Sequence, residues 1–297
     1  MYTWYSYTEQ RMLHTVVGDL RVADAVYSPQ LHNRRKLYAL LPRSYAADAA
    51  RRYPVIYMQD GQNLFDQLLS YAGEWRVDET MAALAGEGFE AIVVGIPNMG
   101  VRRIDEYSPF KDSRLRRGGR GDWYVAFMAE TIKPLIDATF RTMPEREHTA
   151  VIGSSMGGLI SLYAFFSRPD VFGMAGVMSP SLWFAQEAIF PFVEQAPFRP
   201  SRLYIDVGTH EGADTRLARR PPHTYTSRYL TAARRLRDML LAKGYLVGTY
   251  LRYDEEELAT HNEAAWARRL PEALRFLLAG HRQGAGTPAL AERWWEF

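Results

Sequence analysis

The chain has 297 residues, with 36 lysine and arginine against 34 aspartate and glutamate and a net charge of +2 at pH 7. That balance gives no electrostatic reason to expect nucleic acid or an anionic membrane as partner, and the lack of cysteine excludes disulfides, thiolate catalysis and cysteine metal sites. The opening MYTWYSYTEQRMLH has no basic start followed by an apolar run, and no apolar stretch approaches the ~20 residues of a membrane span, so a soluble cytoplasmic protein is expected.

In chain order, RRKLYALLP (34–42) reads as a strand closed by proline, and YPVIYMQDG (53–61) as a short buried strand ending in a turn. EWRVDETMAALAGEG (74–88) reads as a helix stopped by glycines, and FEAIVVGIPN (89–98) as a second buried strand. DWYVAFMAETIKPLIDATF (122–140) is an amphipathic helix pattern with Asp122 as its expected N-cap. HTAVIGS (148–154) is a strand, GGLISLYAFFSRP (157–169) a helix, FGMAGVMSPS (172–181) a strand and loop, and SRLYIDVGTHEG (201–212) a strand with a polar tip. A helix at 226–244, a strand at 246–256 and a last helix at 262–280 complete the series.

Short apolar strands alternating with longer amphipathic helices predict βαβ units. The expected fold is a single α/β domain over 1–297, with a mostly parallel central sheet of about eight strands, antiparallel at its first edge, and helices on both faces. Two stretches stand out as long irregular segments: the arginine-rich 99–121, which reads as a solvated loop or subunit contact or else as a flank of the site favouring an acidic or polar substrate, and the tail 281–297.

GSSMG (153–157) fits G-x-S-x-G with Ser155 at its centre. Ser154 cannot fill that place, since Ile152 and Met156 stand where glycines are needed. A nucleophile on a sharp strand-to-helix turn needs small residues two before and two after it, or their side chains collide across the turn. The same turn aims the Met156 N–H and the positive end of the helix at one spot. A serine hydroxyl needs a base, usually a histidine held by a carboxylate, and in this chain order the acid precedes the histidine. His210, His223, His261 and His281 follow Ser155; His261, between the last strand and last helix, is the expected base. Glu211 at the strand tip is the expected acid, ahead of Asp214 and Asp206, with Asp254 and Glu255 also open. The second oxyanion donor is expected from QDGQN, at the N–H of Gln62 or else Gly61.

With these pieces placed, the sequence resembles the esterase D-like branch of the α/β-hydrolase superfamily, whose members include carbohydrate, feruloyl and siderophore esterases. The resemblance rests on LHNRRKLYALLPRSY, RYPVIYMQDGQNLFD, GDWYVAFMAETIKPLID, TAVIGSSMGGLISLYAFFSRPDVFGMAGVMSPSLWF, DVGTHEG and THNEAAW, spanning about residues 31 to 279. It implies an α/β-hydrolase fold, catalytic Ser155, Glu211 and His261, oxyanion donors Gln62 and Met156, and Trp183 near the substrate. Many relatives carry Asp where this chain has Glu211. The expected activity is hydrolysis of a small-molecule carboxylic ester with no cofactor and no metal. An acyltransferase with the same triad, or a non-catalytic binding protein of the same fold, is the alternative. The acyl group, the alcohol and the oligomeric state are not readable.

Overall fold

The computed structural model describes residues 2–212 and 227–283, so Asp214, His223 and most of the C-terminal tail lie outside the described residues. The strands are β1 (Trp4–Ser6), β2 (Asp19–Ser28), β3 (Asn33–Leu41), β4 (Val55–Gln59), β5 (Ile92–Ile96), β6 (Lys111–Asp112), β7 (Arg117–Gly118), β8 (Thr149–Ser154), β9 (Met174–Met178), β10 (Arg202–Gly208) and β11 (Leu251–Glu256). Nine of them form one sheet in the order β1-β2-β3-β5-β4-β8-β9-β10-β11, and β6 pairs with β7 separately. The pairings from β1 to β5 are antiparallel, and those from β5 through β4 to β11 are parallel.

Burial explains the parallel half. Every residue of β4, β5, β8 and β9 is buried, which a strand tolerates only between two layers of helix. Alternate residues of β4 enter opposite cores. Val55 and Tyr57 face the helix Met156–Ser167 and the run Gly121–Thr139, while Ile56 and Met58 face Val77–Ala85 and Glu263–Leu277.

The expected mostly parallel sheet of about eight strands is present, with nine strands among the described residues. Trp4–Ser6 and Asp19–Ser28 form its antiparallel edge, and a bulge between Ala23 and Val26 breaks the alternation that would mark β2. Two local expectations are corrected. The helix beginning at Gly121 has Arg120 at its N-cap, and Asp122 sits inside the first turn, where its carboxylate accepts the Tyr163 hydroxyl. The stretch 99–121 is not irregular. It carries the turn Gly100–Arg102, the short helix Arg103–Glu106 and the β6–β7 hairpin.

Candidate active site

β8 passes into the helix Met156–Ser167 through Ser155, whose backbone stands at φ 57°, ψ −121°. A side chain in that region is strained, and strain persists only where the surroundings over-determine it. Here they do. A Cβ on Gly153 would lie 2.6 Å from the Gly157 carbonyl carbon and 2.7 Å from the Gln59 Cγ. Gly153 is therefore required by the close approach of strand, helix and β4, and Gly157 is tight, with a Cβ there 3.1 Å from the Gln59 Cβ. The N–H of Met156, first residue of the helix, has no intrahelical acceptor. Ser154 is buried at the end of β8, paired in register with Met178.

The Ser155 hydroxyl lies 3.2 Å from that of Ser181, and Ser155 and His261 line one cavity of about 620 Å³. His261, before the last helix, places Nδ1 2.9 Å from Glu211 Oε2. Nδ1–H donation to that carboxylate leaves Nε2 as the acceptor nitrogen, the tautomer a general base needs. The ring is 4.5 Å from the Tyr229 ring and stands perpendicular to Trp266 at 5.0 Å.

Glu211 follows β10 and is fully buried. Its Oε1 accepts the Gly208 N–H at 2.7 Å and the Ser179 hydroxyl at 2.5 Å. Burial alone would raise this carboxyl; the hydrogen bonds from His261, Ser179 and Gly208 outweigh it and hold the group below its ordinary value. Glu211 is thus an ionised carboxylate at neutral pH, the state that orients and stabilises an imidazolium.

Among the described residues, the other acids considered are engaged elsewhere. Asp206 is buried in β10, pairs with Arg269 Nε at 3.0 Å and accepts the Ser179 N–H at 3.1 Å. Burial pushes it up to about 7 against the pull of Arg269. Asp254 pairs with Arg252 and Glu255 with Arg234. Among the histidines, His210 contacts the neighbouring Thr209 hydroxyl, and His281 meets His148 at 2.6 Å.

Gln62 lies in a single 3-10 turn, Gly61–Asn63, directly after β4 and beside the serine strand. A Cβ on Gly61 would lie 2.6 Å from the backbone of Gly95, so the turn packs down on β5. Gln62 lines the cavity and its Oε1 accepts the Asn98 N–H at 3.1 Å. Trp183 packs against Tyr229, with the Arg228 guanidinium 3.7 Å from its ring, and is not among the residues lining the cavity.

The arginine-rich segment contributes one side chain to the cavity, Arg103. It forks onto Asp60, with Nε and Nη2 each 2.7 Å from a carboxylate oxygen, and Asn98 adds a third donor at 2.6 Å. Arg102, Arg114 and Arg116 are exposed, Arg117 pairs with Asp105, and Arg120 covers Trp123. Glu263 is the other charged residue of the wall, its carboxyl raised by burial first and by Asp60 second. Outside the cavity, the carboxylates of Glu74, Asp78 and Glu79 lie within 4.8 Å of one another. Burial and mutual repulsion push Glu74 up to about 7 and Asp78 up to about 8, so protons take up much of the excess charge there.

A family model described as Putative esterase matches residues 28–277. The chain belongs to that esterase family. The YbbA protein of Bacillus subtilis (strain 168) is 25% identical over 253 residues, covering 84% of this chain and 94% of YbbA. The siderophore triacetylfusarinine C esterase of Aspergillus fumigatus is 31% identical over 136 residues, 44% of each protein. Among solved structures, siderophore hydrolase EstA from Aspergillus nidulans superposes with a TM-score of 0.64 at 20% identity, over 88% of this chain and 94% of EstA. Enterobactin esterase FES from Shigella flexneri, solved with enterobactin, gives 0.64 at 16% identity over 89% of this chain and 60% of FES. At these identities the structural likeness shows the α/β-hydrolase fold, and the family match shows the esterase grouping.

Four residues of this neighbourhood escape a reading of the sequence alone: Asp60, Arg103, Ser179 and Arg269. A serine before proline reads as a turn, and an arginine within a helix reads as solvated surface. The contacts that give these residues their place join segments far apart in the chain.

Proposed function

We propose that the protein is a serine esterase that hydrolyses a small-molecule carboxylic ester through an acyl-enzyme on Ser155. The observation that carries this reading is the strained seat of Ser155, sharing one cavity with a histidine whose Nδ1 is held 2.9 Å from a buried glutamate. His261 Nε2 takes the hydroxyl proton as Ser155 Oγ attacks the ester carbonyl. The oxyanion forms against the N–H groups of Met156 and Gln62, donors fixed before the reaction by the helix start and the 3-10 turn. Collapse of the tetrahedral adduct breaks the carbon–oxygen bond to the alcohol, which leaves with the proton from His261. Water, deprotonated by His261, then attacks the acyl-enzyme, and the carboxylic acid departs as Ser155 regains its proton. Glu211 keeps its negative charge throughout and steadies the imidazolium.

The test compares purified wild type with Ser155→Ala on p-nitrophenyl acetate and butyrate, a feruloyl ester and enterobactin, the last being the compound with which FES was solved. Wild-type turnover with a loss of at least about a thousandfold in Ser155→Ala is expected. Equal rates in the two proteins would overturn the assignment. Adding acceptor alcohols separates hydrolysis from transfer, since an esterase releases the free acid throughout.

A further inference from the structure

Ser179 stands at φ 43°, a second strained non-glycine residue within two steps of the end of β9. It is fully buried. Its hydroxyl is surrounded by polar groups: it donates to Glu211 Oε1 at 2.5 Å and accepts from Trp266 Nε1 at 2.9 Å and Arg269 Nη2 at 2.8 Å. One donor proton and two acceptor lone pairs are all that a serine hydroxyl has. With the two N–H groups occupying both lone pairs, its own proton has one direction left, toward Glu211. Two residues on, Ser181 meets the Ser155 hydroxyl at 3.2 Å, and its N–H donates to the Ser155 carbonyl at 2.9 Å. The Ser179–Pro180–Ser181 turn therefore touches the acid at one end and the nucleophile at the other.

Resting on the esterase reading above, we propose that Ser179 is a positioning residue for Glu211. Its hydroxyl fixes the rotamer of the longer glutamate so that Oε2 faces His261. By taking up negative charge at Oε1, it also limits how strongly Glu211 holds the His261 proton. The charged and titratable groups facing this pair are Arg269 and Asp206 on the Glu211 side, and Glu263 near His261. Without the Ser179 donor, the carboxylate keeps more charge at Oε1 and loses the contact that sets its rotamer. A glycine would sit at this φ without penalty, while the Ser179 N–H, bonded to the Asp206 carbonyl at 2.9 Å and to its Oδ1 at 3.1 Å, keeps the backbone in place.

The decisive variant is Ser179→Gly, which removes the hydroxyl and relieves the backbone, with Ser179→Ala as the companion and Ser155→Ala in parallel. For Ser179→Gly the expected result is a folded protein with a lowered thermal midpoint, because Trp266 Nε1 and Arg269 Nη2 lose their acceptor, and kcat lowered roughly tenfold with little change in KM. The acid limb of the kcat/KM–pH profile is expected to move upward by roughly half a unit. Ser179→Ala should show the same kinetic shift. If Ser155→Ala is inactive while both Ser179 variants keep the wild-type kcat and acid limb, the positioning role is wrong and the esterase reading stands. If Ser155→Ala matches the wild type, the esterase reading falls and takes this proposal with it. A loss of activity that follows loss of folded protein in both variants, with no shift of the acid limb, would reduce Ser179 to a structural residue and also overturn the proposal.

Discussion

Arg103 grips Asp60 through two parallel hydrogen bonds of 2.7 Å each, and Asp60 is the residue immediately before the Gly61–Asn63 turn. Asp60 itself stands at φ 56°, and its N–H donates to the Tyr107 hydroxyl at 3.0 Å. The fork thus fixes the backbone that presents the Gln62 N–H. Lysine cannot reproduce two parallel bonds from a planar group. Arg103→Lys is expected to lower kcat/KM for p-nitrophenyl esters by roughly ten- to a hundredfold, near the effect of losing one oxyanion donor. The affinity of an aryl boronic acid, which mimics the tetrahedral adduct, should fall in parallel. Unchanged inhibitor affinity would show that the fork does not govern the turn.

The neighbouring buried carboxylates Glu211 and Asp206 should separate cleanly by substitution. Glu211→Gln removes the charge that stabilises the imidazolium and favours the wrong tautomer, so kcat should drop by roughly a thousandfold or more. Asp206→Asn keeps an oxygen for the Ser179 N–H, and Asp206 faces Arg269 rather than His261. It should leave kcat/KM within about tenfold of the wild type. Steady-state kinetics of the pair at pH 8 is the measurement; a reversed order would move the acid's role to Asp206.

Asp78 predicts a stability change with alkaline pH. Its carboxyl is pushed up to about 8 by burial, with Glu79 adding to the rise, while its Oδ2 accepts the Val17 N–H at 2.6 Å. A carboxyl raised in the folded state holds a proton that the unfolded chain has already released, so its contribution is lost progressively as pH climbs from the ordinary 3.8 to about 8 and levels off above that. Asp78→Asn keeps the acceptor for Val17 and replaces the titrating carboxyl with a neutral amide that still donates to Glu79. Thermal melts should show the variant gaining on the wild type at pH 9 and close to it at pH 5. A gain of the same size at both values would refute the titration argument.

His281 works in the opposite sense at acid pH. Burial first, then His148 and Arg202 facing it, holds its imidazole down at about 4. A histidine kept neutral in the fold takes up its proton more readily when the chain unfolds. Stability should therefore be complete above the ordinary value of 6.5 and decline as pH falls toward 4. His281→Gln, which cannot titrate, should flatten this part of the melting-temperature curve. An unchanged slope between pH 6.5 and 4.5 would assign the acid sensitivity to other groups.

The parts of the molecule that can be read from sequence are those whose causes are local. The apolar runs of β4, β5, β8, β9 and β10 announce buried parallel strands, and GSSMG marks a sharp turn in which Gly153 must make room for Gly157 four residues on. Gly244, which ends the helix Arg228–Lys243 in the left-handed conformation, is legible for the same reason. Other features depend on distant partners. β2 hides because its bulge disturbs the alternation, and the strand expected from residue 246 starts at Leu251 because Leu246 heads a turn that collects three backbone N–H groups. The positive charge of 99–121 suggests an electrostatic role for the whole segment, yet the cavity receives one arginine, and that one is spent on Asp60. Composition reports the charge of a segment but not which side chain turns inward.

The order of the sheet also has a consequence in time. β2 and β3 are joined by a short turn and can pair as soon as that stretch is made. The pairing that sets the Gly61–Asn63 turn beside the strand leading to Ser155 joins Val55 to Thr149, and the pairing that brings the strand of Glu211 beside the strand preceding His261 joins Leu203 to Leu251. Such long closures are reached late because the chain must give up loop entropy before any contact rewards it. During refolding, the antiparallel edge should form early, and ester turnover should return only with the last parallel strands. For this fold, the appearance of catalysis is a clock for completion of the sheet.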